Sequence, residues 1–212
     1  MQFGKPNRRQ RPNGSLKTSG GTAVLRLYRP ILRQRNLTQL RAKGITMDIE
    51  GKTIWQVAAG NGKDTHYAKQ CLQQDVIVFG PGRYGAWPDC EMPMRTNGVS
   101  STHVGIVKRF AENLKPRDIV VLRVGTQQLY GVGEVVGDYD FSEAFSNVQG
   151  WDLQHFRRVR WLWHQDGEPE LFPVYSLKLG SSVQYLTSPL VRSWLEQLDI
   201  PAEAYSRPLS AL

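Results

Sequence analysis

Apolar and polar positions along this chain change rhythm several times, and each change predicts an element. Lys52 to Ala59 (KTIWQVAA) is an extended apolar run that stops at the turn signal Gly60-Asn61-Gly62, after which Asp64 can cap a short helix running to Gln73. Val76 to Phe79 predicts a second short strand. It is followed by a long loop, GPGRYGAWPDCEMPMRTNG, and a loop of that length in a compact domain is usually functional or mobile. Thr102 can cap a helix whose apolar residues Val104, Val107, Phe110, Ala111 and Leu114 fall on one helical stripe, ended by Lys115-Pro116.

Asp118 to Val124 (DIVVLRV) is almost continuously apolar, the pattern of a strand covered on both faces. Gly125-Thr126 turns the chain into Leu129 to Val136, where Gly131 and Gly133 predict a bend or a close backbone approach. From His155 to Trp163 the residues alternate, with Arg157, Val159, Trp161 and Trp163 on one face and Phe156, Arg158, Arg160 and Leu162 on the other. Leu171 to Leu179 predicts another strand, and Pro189 opens a closing helix through Leu198. Short strands, many turns and two early helices predict an α+β fold: a small mixed β-barrel flanked by short helices.

Charge divides the chain in two. The 212 residues carry a net charge of +8, yet the eleven basic residues of positions 1–46 face no acidic one, while the remainder has sixteen basic and nineteen acidic residues. Residues 1–46 therefore read as a basic, partly disordered extension and 47–212 as the barrel domain with its C-terminal helix. Such an extension can neutralise phosphates without reading sequence. It also has the Arg-rich, acid-free composition of a transit peptide, and the alternative is a dispensable leader before Met47. Six Trp, eight Tyr and 40% apolar residues support a folded core, and no apolar stretch is long enough to span a membrane. Two cysteines, Cys71 and Cys90, are too few for a disulfide framework, so a reducing compartment, the cytoplasm, is expected.

Catalytic signatures are missing. There is no GxSxG, GxxxxGK[ST] or HExxH, and Gly80-Pro81-Gly82 does not lead directly into a helix as a phosphate loop would. His66, Cys71, Cys90 and His103 lack the tight pairs of a zinc site, and Cys71 reads as a buried apolar residue. Ser100, Ser101 and His103 lie close in sequence without an assignable third group or oxyanion hole, so helix capping is the expected use of the hydroxyls. No catalytic residue, metal or cofactor is expected. The enzymatic alternative, a metal-dependent nuclease or hydrolase, would need Asp89, Asp138 and Asp140 to converge.

Aromatic residues in polar loops are the more informative feature. Trp87 follows a Gly-rich stretch, Tyr139 lies between Asp138 and Asp140, and Trp151 follows Gly150. A flat ring held in a loop can stack on a base, whereas Trp55, Trp161 and Trp163, on strands, can equally be core. Five segments, Tyr84-Gly85-Ala86-Trp87, Asp118-Ile119-Val120-Val121, Tyr130-Gly131-Val132-Gly133-Glu134-Val135, Gly137-Asp138-Tyr139 and Arg157-Arg158-Val159-Arg160-Trp161-Leu162, occur in an order that resembles EVE domains. They are also similar to the DNA-recognition domains of McrBC-type modification-dependent restriction systems, within the PUA-like superfamily that includes YTH readers.

That resemblance implies a reader of a modified, flipped base, DNA more than RNA, with a separately encoded nuclease as an expected partner. It marks Trp87 as one pocket wall and Trp151 or Tyr139 as another, with Tyr84 and Trp55 as further aromatic candidates and Asp89 as an acceptor for a base amino group. Where YTH proteins have Ser-Thr after the pocket Trp, this chain has Pro88-Asp89-Cys90. Arg83, Arg157 and Arg158 are the candidates for flanking phosphates. The alternative reading is an RNA-binding module of translation or RNA modification.

Overall fold

The computed structural model describes residues 45–62, 65–165, 169–172 and 181–211; the basic segment 1–44, the expected cap Asp64 and most of the strand expected at Leu171–Leu179 lie outside them. One mixed sheet has six strands on its main path, β1 (Ile54–Ala58), β2 (Val76–Phe79), β3 (Ile119–Val124), β4 (Gln128–Val135), β5 (His155–His164) and β6 (Val183–Tyr185), with the two-residue strands Glu170–Leu171 and Asp140–Phe141 paired to β4 and β5. Their order is β6-β1-β3-β4-β5-β2, parallel between β1 and β3 and antiparallel elsewhere. Among the described residues the two edges do not meet, so the barrel is an open half-barrel in an α+β fold. Helices α1 (Ala68–Gln73), α2 (Glu91–Thr96), α3 (Ser101–Lys108) and α4 (Pro189–Glu196) surround it.

The almost continuous apolar run of β3, interrupted by the buried Arg123, has the predicted consequence. Val120, Leu122 and Val124 enter one core with Phe110, Val107 and Trp161, while Ile119 and Val121 enter a second with Met47, Val191 and Leu195. Adjacent residues of a strand point to opposite faces, so only a strand covered on both sides can be apolar at every step.

Local features depart from expectation in four places. The N-cap of α3 is Ser100, whose hydroxyl accepts the His103 N–H, and not Thr102. The helix then continues as a π-helical turn over Arg109–Asn113. The long loop after β2 contains α2, anchored by the fully buried Cys90 and Met94. The tract Gly60–Gly62 is not a bare turn but pairs with Thr65–His66. Finally, Trp161 and Trp163 do not share a face. The register between β4 and β5 slips beside Gly133, and a one-residue bulge turns Trp163 toward Trp194 while Trp161 stays in the first core. Gly133 shows the expected close approach: a Cβ there would lie 2.5 Å from Val159 and 2.9 Å from the Trp161 ring.

Ile45–Thr46 pair with Asp199–Ile200, so the last two residues of the basic extension belong to the folded unit.

Candidate functional site

The loop after β2 is shaped by two glycines. A Cβ at Gly80 would lie 1.9 Å from the Asp152 carbonyl oxygen, and one at Gly82 would lie 2.3 Å from the Gln154 side chain. The loop therefore runs against residues 152–154, and Asp152 Oδ2 accepts the Arg83 backbone N–H at 2.9 Å. Between this pair of segments, the ends of β1 and β2 and the start of α3 lies a cavity of about 440 Å³, within the range of small-ligand sites.

Its walls are aromatic. Trp151 is half-buried and meets the buried Tyr67 edge to face at 6.0 Å between centroids. Phe79 forms another wall, with the His103 ring stacked on it at 5.6 Å and its Nε2 2.8 Å from the Gly80 carbonyl oxygen. The Tyr67 hydroxyl donates to the Ala58 carbonyl at 3.2 Å, and burial raises its ionisation well above the ordinary tyrosine range, so it stays a neutral donor. Arg83 is exposed and supplies a cation to the same cavity.

Of the candidates read from sequence, the structure brings Trp151 and Arg83 into this cavity and leaves the others out. Trp87 is not an open platform: it is 9% exposed, its indole N–H donates to Glu112 Oε1 at 2.8 Å, and its backbone N–H donates to the Tyr139 hydroxyl at 2.8 Å. Trp55 is fully buried, with its indole N–H on Asp118 Oδ2 at 2.8 Å, so it is a core residue. Tyr139 borders a separate hollow with Arg158, and its hydroxyl is held between Trp87 and His155. Tyr84 lies under the Arg83 guanidinium at 5.0 Å, and Asp89 is exposed on the approach to α2.

Two of the three phosphate candidates are engaged elsewhere. Arg157 is 2% exposed and donates to the carbonyls of Phe110, Ala111 and Gly137, supplying the donors for two carbonyls of the π-helical turn. Arg158 donates to the carbonyls of Gln74 and Ser210. An arginine on a strand reads the same in sequence whether it faces solvent or caps a buried helix end.

The described residues contain no group of three or more His, Cys, Asp or Glu able to hold a metal, so Asp89, Asp138 and Asp140 are not brought together as the nuclease alternative requires. His66 and His103 contact the Tyr130 hydroxyl and the Gly80 carbonyl respectively, and Cys71 and Cys90 are buried free thiols. Burial pushes the Cys71 thiol up to about 12. No helix among the described residues is long and apolar enough to cross a membrane.

Sequence reasoning missed Tyr67, Phe79, His103 and Asp152. Each is a single residue on a different element, and the one local signal was the Gly80-x-Gly82 spacing that lets the chain approach residues 152–154.

The architecture is that of a small α+β half-barrel with an aromatic cavity at its mouth. Residues 55–184 match the family described as a domain of unknown function, DUF8426, and the chain belongs to that family. No curated protein matches the chain. Among solved structures, it is similar to the YTH domain of the Zygosaccharomyces rouxii MRB1 protein in complex with N6-methyladenosine RNA. The identity is 14%, the match covers 71% of this chain and 91% of that one, and the TM-score is 0.42.

Proposed function

We propose that this protein is a non-catalytic reader of nucleic acid that encloses a modified, extruded base in the cavity of Trp151, Tyr67, Phe79 and His103. The observation that carries the reading is the cavity itself: four aromatic rings line it and Arg83 adds a cation at the same place. A base inside a duplex presents only its edges, so a cavity that surrounds the whole ring system requires extrusion. Aromatic walls favour the larger apolar surface of a methylated base, and a cation beside the opening favours the phosphates that flank it. DNA is the first polymer to test, because the tracts Gly133 to Tyr139 and Arg157 to Trp161 resemble restriction-associated domains.

The test is a binding comparison of oligonucleotides carrying one 5-methylcytosine or one N6-methyladenine with their unmodified counterparts, each as DNA and as RNA. The parent protein is expected to prefer one modified oligonucleotide. Trp151→Ala should lower that affinity by about 1–3 kcal/mol, the value of one base-aromatic stack, and reduce the preference with it. Equal binding of modified and plain oligonucleotides by the parent protein, or an unchanged preference in Trp151→Ala, overturns the reading.

A further inference from the structure

Behind the cavity wall, three hydrogen bonds form a chain whose directions are fixed by chemistry. The Pro81 carbonyl can only accept, so His155 Nε2, 3.1 Å away, carries a proton. The Trp87 backbone N–H can only donate, and the Tyr139 hydroxyl oxygen accepts it at 2.8 Å. In a neutral ring whose Nε2 holds the proton, Nδ1 is a lone pair, and it receives the Tyr139 hydroxyl proton at 2.8 Å. Each group is then satisfied once, and Pro81, a residue of the cavity wall, is tied through His155 and Tyr139 to the Trp87 backbone.

We infer that His155 is a positioning residue of the cavity wall, and that only its neutral Nε2–H form holds the wall in its ligand-ready place, so that base binding is lost in acid. This rests on reading the cavity as a base site. Protonating Nδ1 makes both ring nitrogens donors, and Tyr139 must then turn its own proton away from the ring, breaking the chain at this link.

The surroundings act on the charged ring in opposing directions. Desolvation by burial, the largest influence, lowers its pKa below the usual 6.5, while the Pro81 carbonyl and the Asp152 carboxylate favour the charged form. Tyr139 stacks on the ring, Phe141 meets it edge on, and Arg157 and Asp140 bear on Tyr139. His103 and Arg83 line the cavity itself.

A histidine whose pKa is lowered in the closed state binds fewer protons there than when the wall is open. Affinity is therefore complete above about 6.5 and falls as pH drops below it, by at most about tenfold per pH unit for one proton.

Two measurements test this on the full chain. Nitrogen-15 imidazole NMR at neutral pH is expected to show His155 as the Nε2–H tautomer; an Nδ1–H tautomer or a charged ring overturns the inference, whether or not any oligonucleotide binds. The preferred oligonucleotide is then titrated between about pH 5 and 8. Parent affinity should be flat above about 6.5 and fall below it. In Tyr139→Phe the fall should be shallower, because the neutral ring loses the donor that only it can accept and its closed-state pKa moves back towards that of the open wall, while His103 and Arg83 are untouched. Binding with no acid loss, or an identical pH profile in Tyr139→Phe, sinks the inference and leaves the base-reader reading standing. Absence of binding to every oligonucleotide sinks that reading and leaves the NMR result to decide the relay.

Discussion

Replacing Trp87 with Ala is expected to damage folding and leave the cavity lining in place. The ring is 9% exposed and packs in the first core. A buried indole removes roughly 150–250 Å² from water, which at about 25 cal/mol per Å² corresponds to about 4–6 kcal/mol. Measured truncations of core Trp and Phe cluster at about 3–5 kcal/mol, and that is the magnitude expected here. The indole N–H bond to Glu112 adds less than about 1 kcal/mol, because the Glu112 side chain is 46% exposed and is rehydrated when the bond is lost.

For a domain of this size each kcal/mol lowers the melting temperature by about 2–4 °C, so a fall of about 6–20 °C is expected. Urea denaturation of parent and variant gives the free energy directly, and Trp87→Phe, which keeps most of the buried surface, should lose much less than Trp87→Ala. A loss below about 1.5 kcal/mol at unchanged m-value would mean that the ring is open to solvent and that the packing argument is wrong.

Three further outcomes follow from the same geometry. Arg157→Ala leaves the Phe110 and Ala111 carbonyls without their donor and should cost about 3 kcal/mol or more in denaturation, with Arg157→Lys failing to restore it because an ammonium cannot span three acceptors as the guanidinium does. Gly80→Ala places a methyl on the Asp152 carbonyl and should cost about 1–3 kcal/mol while lowering oligonucleotide affinity; a stable variant with parental binding would show that the loop does not build the cavity. Deleting residues 1–44, which carry all eleven basic residues of the extension, should weaken binding to unmodified nucleic acid and flatten its salt dependence, and an unchanged salt slope would assign the extension another role.

Periodicity alone located β2, β3, β5 and α3, because a strand covered on two faces or a helix with one buried stripe must write that burial into consecutive residues. The glycines of β4 were legible as close approaches for the same reason, since nothing else fits where two backbones meet, whereas the approach at Gly80 and Gly82 was not read. Which aromatic ring faces water was not legible. Trp87 sits in a Gly- and Pro-rich stretch that looks open, yet α2 folds out of that stretch and Glu112, on the π-helical turn, takes its N–H. Arg157 sits in an alternating strand that looks amphipathic, yet its partners are carbonyls 46 and 47 residues away. The cavity draws Tyr67, Phe79, His103 and Trp151 from four separate segments, and only Trp151 carried a sequence clue. Local order reflects whether a side chain is covered, which the residue's own type and spacing record; a site reflects which distant segments cover it, and that is decided only when the strands take their places in the sheet.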